Sequence, residues 1–337
     1  MLPAKLSPSE RVVVVTGGSA GIGRATVEAF ARAGWNVGII ARDQGRLDRA
    51  AAAVQALGRR ACAVSADMAD AAAVEAAADR IEAELGPIEV WVNGAMATVF
   101  APVAALTPDE VRRATEVTYL GQVHGIMAAL RRMRPRNRGT IVAVGSALAY
   151  RAIPLQAAYC AAKFAVRGFV DSLRSELLHD RVDVHLTMVQ LPAHDTPQFD
   201  WALNKTDRRP QPVPPIFAPE VAAEAILFAA THRRRELWVG WPAIKAILGG
   251  MLAPGLVDRY LAKVGYSGQL TADPVRPDAP ANLFAPVPGA WGAHGRFGAR
   301  ERRRSWALWA SMNREALCGA VLLGGAVALL AGRRSQR

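Results

Sequence analysis

Seven short apolar runs alternate with helical patterns along most of this chain. The runs lie at 11–16, 36–41, 61–65, 88–92, 139–145, 182–190 and 236–239. Strands that alternate with helices pair in parallel, and the helices cover both faces of the resulting sheet. The pattern therefore predicts an α/β fold built on a doubly wound parallel sheet of about seven strands.

The first apolar run leads into a glycine-rich turn and then into a helical pattern over 24–33. The turn reads Thr16-Gly-Gly-Ser-Ala-Gly-Ile-Gly23. Its glycines, Gly17, Gly21 and Gly23, let the backbone turn tightly and approach a pyrophosphate at the helix N-terminus, where free N–H groups favour anions. A glycine turn between a strand and a helix predicts a dinucleotide-binding site.

Three polar side chains further along the chain have the spacing of a proton-transfer site. Ser146 follows an apolar run, Tyr159 comes thirteen positions later, and Lys163 comes four positions after that. A spacing of four puts Tyr159 and Lys163 on one face of a helix. A phenol has a solution pKa of about 10, so it needs a nearby cation to react as phenolate at neutral pH. Lys163 supplies that cation.

Together these motifs resemble the short-chain dehydrogenase/reductase family over about residues 10–240. The resemblance implies a Rossmann-type fold and hydride transfer between a nicotinamide and a carbonyl or secondary alcohol carbon. It implies that Tyr159 donates or accepts the proton, that Lys163 lowers the pKa of Tyr159 and holds the nicotinamide ribose, and that Ser146 hydrogen-bonds the substrate oxygen.

The end of the second predicted strand bears on the choice of cofactor. Ala41 stands where an NAD-specific member of the family has Asp, and Arg42 beside it can pair with a 2′-phosphate. We therefore expect NADP(H) to be preferred over NAD(H), although Arg42 could also be an ordinary solvated arginine. Asp67 resembles the family's adenine-contacting Asp, its alternative being a helix N-cap. The resemblance places the remaining cofactor contacts at Ser19, Ile22, Met68, Asn93, Pro192 and Thr196.

Three sites, one of them a pair of residues, depart from the family pattern. Met96 stands where the usual Asn-Asn-Ala-Gly motif ends in glycine, and Leu191-Pro192 replaces a Pro-Gly pair before the lid expected at about 193–218. Thr118 stands where the family has an Asn that helps a water chain reach the lysine, and we expect it to take over that catalytic role in part. These departures leave a second hypothesis open, in which the chain is a catalytically weak NADP-binding scaffold or redox sensor.

The composition of the C-terminal region predicts that it is organised separately from the catalytic domain. We divide the chain into a catalytic domain at 1–266, a Pro/Gly-rich extended linker at 267–295 and a basic tail at 296–337. Residues 316–332 are uncharged and would span about 25 Å as a helix, against about 30 Å of bilayer hydrocarbon. A membrane helix that keeps the catalytic domain on the cytosolic side is predicted. The alternatives are a helix buried between subunits of a soluble cytoplasmic protein and a helix lying in the membrane plane.

Charge and composition argue against several other classes of protein. Nine arginines and two glutamates lie in residues 291–337, so more than half of the net charge of +12 belongs to the tail. The basic residues are not interleaved with aromatic ones on a folded face, and nucleic-acid binding is not expected. The three cysteines form no Cys-x-x-Cys pair and the six histidines show no metal-ligand spacing. We expect neither a disulfide framework nor a catalytic metal.

Two further expectations concern partners. The resemblance implies a homodimer or homotetramer that packs through the long helices predicted at about 109–134 and 156–179. The mostly apolar stretch 241–257 follows the last predicted strand. It could form a cleft wall that favours a lipophilic carbonyl substrate, or it could serve core packing or subunit contact.

Overall fold

The structure, a computed structural model, describes residues 11–276 and 278–319. Its centre is the predicted parallel sheet, and all seven predicted strands are present. In chain order the strands are β1 Val12–Thr16, β2 Asn36–Ala41, β3 Ala61–Ser65, β4 Ile88–Asn93, β5 Gly139–Val144, β6 Val184–Gln190 and β7 Glu236–Trp238. In space they run β7-β6-β5-β4-β1-β2-β3.

Helices cover both faces of this sheet, so its strands are apolar throughout rather than alternating. In β1, for example, Val13 and Val15 face one core while Val12 and Val14 face the other. The helices are α1 Gly21–Arg32, α2 Gln44–Ala56, α3 Ala71–Leu85, α4 Pro108–Thr115, α5 Gly121–Met133, α6 Ala157–His179, α7 Gln198–Trp201, α8 Pro219–Thr231, α9 Gly240–Leu252, α10 Pro254–Val264 and α11 Trp306–Met312.

The strand order reverses at the centre of the sheet, where β1 lies between β2 and β4. Thr16 at the end of β1 pairs with Asn93 at the end of β4. In doubly wound sheets, ligands bind outside the carboxyl ends of the strands at such a reversal. The topology therefore places the glycine-rich turn and the loop after β4 side by side at the edge expected to bind a ligand.

The predicted long helix at 109–134 is present as a continuous helical segment over 108–133, and it contains a π-helical turn. A capping box between Thr107 and Glu110 begins α4, and a π-helical turn at Glu116–Leu120 separates α4 from α5. Thr118 lies in this turn, where its hydroxyl donates to the carbonyl oxygen of Ala97 at 2.8 Å and accepts from the Ala97 N–H at 2.9 Å. These two bonds fasten the π turn to the chain after β4, and the helix continues through the turn.

The predicted lid at 193–218 contains α7 and three short strands. Leu203–Asn204 pairs with Val99–Phe100, and Ile216–Phe217 pairs with Glu301–Arg302, both in parallel. Arg208–Pro210 pairs with Leu270–Pro274 in antiparallel fashion. Two of these partners come from beyond residue 267, so the C-terminal region helps to hold the segment after β6.

The structure differs from the predicted linker at 267–295, because this segment packs against the α/β unit. Leu283 is completely buried and Val287 nearly so. Further on, Leu308 of α11 joins the apolar core that includes residues of β7. Proline and glycine content suggested an extended connection, but the few apolar side chains between them are sufficient to anchor the segment.

Within residues 11–276 and 278–319, none of the helices combines the length and the apolar character needed to cross a membrane. The predicted membrane helix at 316–332 lies almost entirely outside the described residues, which end at 319.

Candidate active site

A cavity of about 740 Å³ opens at the carboxyl edge of the sheet. This volume lies within the range usual for cofactor and ligand sites. Most of the residues proposed from sequence line it, namely Gly17, Ser19, Gly21, Ile22, Gly23, Arg42, Asp67, Met68, Ser146, Tyr159, Lys163, Pro192 and Thr196. Of the proposed residues, all within the described part of the chain, Asn93 and Thr118 do not line the cavity.

The glycine-rich turn is closely packed against itself. Gly17 has a φ of +71°, and a Cβ built on Gly23 would lie 2.2 Å from the Gly17 carbonyl oxygen. Helices α2 and α3 begin after Asp43 and Asp70, whose carboxylates accept N–H groups of the first turn. The residue before α1 is Ala20, whose methyl group cannot accept. The first N–H groups of α1 are therefore left for another acceptor at the cavity wall.

We expect Gly23→Ala to disrupt this turn. The new methyl group would meet backbone atoms, which cannot move aside as a flexible side chain could, and overpacking of this kind costs roughly 1–3 kcal/mol. Chemical denaturation should show a free energy of unfolding lower by that amount. Gly255→Ala is the matched control, because no described atom lies within 4 Å of its Cβ position in α10. A Gly23→Ala protein as stable as the control would contradict the packing described.

Ser146, Tyr159 and Lys163 meet at the inner end of the cavity. Ser146 ends the loop after β5, and its hydroxyl accepts the Leu148 N–H at 3.1 Å. Tyr159 and Lys163 lie one turn apart on α6, with the Lys163 ammonium 5.6 Å from the centre of the Tyr159 ring. Lys163 Nζ donates to the Val144 carbonyl oxygen at 2.6 Å. The phenol, the cation and a second hydroxyl are thus brought together as the sequence predicts.

Burial disfavours the charged forms of both Tyr159 and Lys163. It raises the pKa of the Tyr159 phenol, and the hydrogen bond with Ser146 acts in the opposite direction. It lowers the pKa of the Lys163 ammonium to about 7. At neutral pH Lys163 is therefore divided between its two protonation states, and a change in its surroundings can shift the balance.

Main-chain carbonyl groups of the segment 282–292 contact the part of the cavity where the sequence predicts phosphate groups. Arg42 donates to the carbonyl oxygens of Asn282 at 2.6 Å, Phe284 at 3.3 Å and Leu283 at 3.4 Å. The Gly21 N–H, at the start of α1, donates to the Gly292 carbonyl oxygen at 3.0 Å. Main-chain acceptors leave no pattern in a sequence, so this contact could not be predicted.

Three of the other proposed residues have partners within the protein. Asp67 accepts the Ala69 N–H at 3.0 Å and is paired with Arg113. Burial alone would raise the pKa of Asp67, but these two partners hold it below its usual value. Asn93 accepts from the Trp91 indole N–H at 3.0 Å. The Thr118 hydroxyl both donates to and accepts from Ala97, and its share in a proton path to Lys163 stays a prediction.

Two residues that the sequence analysis did not single out lie close to the proposed groups. Gln122 donates from Nε2 to the Val144 carbonyl oxygen at 3.2 Å, so it shares that acceptor with Lys163. Gln122 follows Thr118 by one helical turn, which was the available signal. Arg46, in the first turn of α2, also lines the cavity and donates to the Val287 carbonyl oxygen at 2.7 Å.

The cavity lining also contains many apolar side chains. They include Phe100, Phe199, Trp201, Trp241, Val257 and Leu261. Within the stretch 241–257, Trp241, Ala243 and Val257 line the cavity, while Ala243 and Ile247 belong to a buried cluster. Leu252 is exposed. Both alternatives for this stretch therefore apply, and Ala243 takes part in both.

Comparison with known proteins identifies relatives over most of the chain. The family model described as short chain dehydrogenase matches residues 11–204. The chain is 30% identical over 329 residues to "Uncharacterized oxidoreductase YxnA" of Bacillus subtilis, which covers 97% of this chain and 92% of that protein.

Two solved structures share the fold. An alcohol dehydrogenase from Thermococcus sibiricus complexed with 5-hydroxy-NADP is 27% identical, with a TM-score of 0.59 over 68% of this chain and 95% of its own. A short-chain dehydrogenase from Streptomyces avermitilis is also 27% identical, with a TM-score of 0.65 over 78% of this chain and 99% of its own.

Proposed function

Because this chain belongs to the short-chain dehydrogenase/reductase family, we propose that it is an NADP(H)-dependent oxidoreductase that interconverts a carbonyl group and a secondary alcohol on a lipophilic substrate. The family itself supplies the oxidoreductase class and a nicotinamide cofactor. The observation that carries the finer proposal is the meeting of Ser146, Tyr159 and Lys163 in one cavity with the glycine-rich turn.

Each of the three side chains has a distinct task. The bound nicotinamide supplies or accepts the hydride. Tyr159 donates a proton to the substrate oxygen in the reductive direction and accepts it in the oxidative one, while Ser146 donates a hydrogen bond to the same oxygen. Lys163, when protonated, favours the phenolate form of Tyr159. The cavity fits the cofactor because the close turn at Gly17 and Gly23 and the start of α1, which has no side-chain cap, form part of its wall.

The preference for NADP(H) rests on the charge around Arg42. Arg42 and Arg46 both line the cavity, and both hydrogen-bond neutral carbonyl oxygens of the segment 282–292. A 2′-phosphate would offer charged acceptors, which form stronger hydrogen bonds with a guanidinium than neutral carbonyls do. The related alcohol dehydrogenase complexed with 5-hydroxy-NADP is consistent with this preference.

Replacing Arg42 with Ser should weaken the binding of NADPH much more than the binding of NADH. We expect the Kd for NADPH to rise by about 10- to 100-fold, because a buried charged contact with phosphate is lost, while the Kd for NADH stays nearly constant. Fluorescence titration with both cofactors measures the change. Arg49→Ser is the control, since Arg49 also holds the segment, through Gly289, yet it is exposed. If NADPH binding were weakened equally in Arg42→Ser and Arg49→Ser, the cause would instead be the loss of contacts with the segment 282–292.

The lipophilic character of the substrate is inferred from the cavity wall. Trp241, Phe199 and Leu261 line the cavity, and its apolar side chains lie beside two polar groups, one around Tyr159 and one around Arg42. Binding sites of this kind bury the apolar body of a ligand and fix its orientation through a few polar contacts. Medium- and long-chain aliphatic ketones, steroid ketones and isoprenoid carbonyls are therefore the first compounds to test.

The direct test is NADPH oxidation with a panel of carbonyl compounds, read at the nicotinamide absorbance. We expect turnover with apolar ketones and little with small polar ones. Activity restricted to small polar carbonyls would contradict the substrate class but not the reaction. Activity with NADH alone would contradict the cofactor assignment.

A second candidate function is an NADP-binding scaffold or redox sensor with weak catalysis. It is favoured by the contacts of the segment 282–292 with Arg42 and Gly21, and by a Thr118 hydroxyl fully occupied by Ala97. Tight NADPH binding without turnover across the whole panel would support this candidate over the reductase.

We also propose assembly through α4, α5 and α6. These helices carry apolar side chains that are more than a third exposed in the single chain, namely Val111, Leu120, Met127, Phe164 and Leu178. Burying them between subunits would be favourable. Sedimentation analysis should give a dimer or a tetramer.

A further inference from the structure

Three side chains of the kinds that bind metal ions meet outside the proposed catalytic centre. Asp195 lies just after β6, while His294 and Glu301 lie in the C-terminal region that returns to this part of the sheet. One ligand atom from each residue lies within 4.8 Å of the other two. The cluster forms where Phe217 and Ile216 pair with Glu301–Arg302, so it joins two distant parts of the chain.

The two carboxylates are buried with one oxygen each left over. Asp195 is completely buried, and its Oδ1 accepts the Phe297 N–H at 3.0 Å. The Glu301 side chain is 2% exposed, with Oε1 at 3.3 Å from Arg303 Nε. Asp195 Oδ2 and Glu301 Oε2 have no hydrogen-bond partner within the described part of the chain. Burying a carboxylate oxygen without a partner destabilises the folded state unless a positively charged group contacts it.

The electrostatic surroundings of Asp195 point in the same direction. The Glu301 carboxylate and the His294 ring both lie beside the Asp195 carboxylate. Two carboxylates held side by side form a setting that a cation would stabilise.

His294 is oriented as metal-binding histidines usually are. Its Nε2 lies 2.9 Å from Glu220 Oε1, at the start of α8. A proton on Nε2 donates to this carboxylate, which leaves the lone pair of Nδ1 directed toward Glu301 Oε2 at 3.4 Å. A carboxylate that holds one ring nitrogen while the other is free for an ion is the common arrangement around histidine ligands.

We propose that Asp195, His294 and Glu301 form a structural site for a divalent cation of the zinc class. One imidazole nitrogen and two carboxylates suit Zn²⁺, whereas Mg²⁺ and Ca²⁺ prefer oxygen ligands alone. Bonds of roughly 2.0–2.2 Å place two ligand atoms at most about 4.4 Å apart. His294, whose side chain is 47% exposed, can shift by the small distance required and gives an ion access from solvent.

The bound ion would link two distant parts of the chain. It fixes the C-terminal residues 294–301 to the loop after β6, next to Thr196 in the cavity wall. The sequence shows no metal-ligand spacing because the three residues come from two regions that meet only through folding. The site lies apart from Ser146, Tyr159 and Lys163, so it adds a structural ion and no catalytic one.

Titration of untagged, chelator-treated full-length protein with Zn²⁺ tests the proposal. We expect one Zn²⁺ per chain by calorimetry and elemental analysis, and a Tm about 4 °C higher when Zn²⁺ is at a hundredfold excess over its Kd. His294→Asn and Glu301→Gln should each raise the Kd for Zn²⁺ by at least tenfold. His179→Asn, which alters an exposed histidine at the end of α6, should leave the Kd unchanged. Absence of binding, or equal binding by wild type and both site variants, would overturn the proposal.

Asp195→Asn provides a second test, in which the sign of the effect decides. Without metal, this variant removes a buried carboxylate with an unpaired oxygen, so its Tm should exceed that of the wild type. With saturating Zn²⁺ the order should reverse, because the variant has lost a charged ligand. A variant that is more stable than the wild type in both conditions would show that the cluster does not bind Zn²⁺.

Discussion

Tyr159→Phe is expected to lower kcat/KM for carbonyl reduction by about 10³-fold or more, within the range by which general acids accelerate reactions. The substitution removes one oxygen and keeps the ring that contacts Lys163. Only the proton transfer to the substrate oxygen and the hydrogen bond with Ser146 are lost. The Kd for NADPH should therefore change by less than about threefold. Steady-state kinetics on the best ketone of the panel, together with a cofactor titration, measure both quantities.

Tyr150→Phe is the matched control for this prediction. Tyr150 is also partly buried, and its hydroxyl donates to Glu236 at 2.8 Å. Tyr150 is not among the described residues that line the cavity. Its removal should reduce stability by about 1–2 kcal/mol and change kcat/KM by less than about threefold. If Tyr159→Phe kept more than a tenth of wild-type activity, Tyr159 would not be the proton donor. If both variants lost activity, a general effect on the fold would be the explanation.

The sequence predicted the sheet and the inner end of the cavity because both depend on local patterns. The apolar runs predicted the strands correctly because helices cover both faces of the sheet, so the side chains on both sides of a strand are apolar. The burial of four successive residues of β1, Val12, Val13, Val14 and Val15, shows this. The Tyr159–Lys163 pair depended on helical spacing alone, and it lies on α6 as expected.

The features that the sequence did not predict arise from contacts between distant segments. Arg42 binds carbonyl oxygens about 240 residues away, and main-chain oxygens have the same chemistry in every residue. The π turn around Thr118 depends on a pair of hydrogen bonds to Ala97, which no helical periodicity could indicate. The packing of 267–295 involves two buried apolar side chains, Leu283 and Val287, and hydrogen bonds from distant arginines to main-chain oxygens. In each case the local sequence is consistent with a structure that lacks the distant contact, namely a solvated arginine, a regular α-helix or an extended linker.

Lys163→Met should make the cofactor-free protein more stable at pH 6 while abolishing turnover. Burial lowers the pKa of Lys163 from 10.5 to about 7, and each unit corresponds to 1.36 kcal/mol, so the charged folded state carries a penalty of roughly 5 kcal/mol at most. Above pH 10.5 lysine is neutral in both folded and unfolded states, and the penalty vanishes. It grows as the pH falls from 10.5 to about 7, where only the unfolded chain binds the proton, and it is complete below pH 7.

Methionine at position 163 has no charge to bury, but it gives up the hydrogen bond to the Val144 carbonyl oxygen, which is worth about 1 kcal/mol. The variant should therefore be more stable than the wild type by a few kcal/mol at pH 6 and no more stable near pH 10. Denaturation at both pH values gives the difference between the two proteins, so other titrating groups cancel. Lys245→Met is the control, because Lys245 also lines the cavity but is exposed. Its effect should be the same at both pH values, and an equally constant effect for Lys163→Met would mean that the Lys163 ammonium is not destabilised by burial.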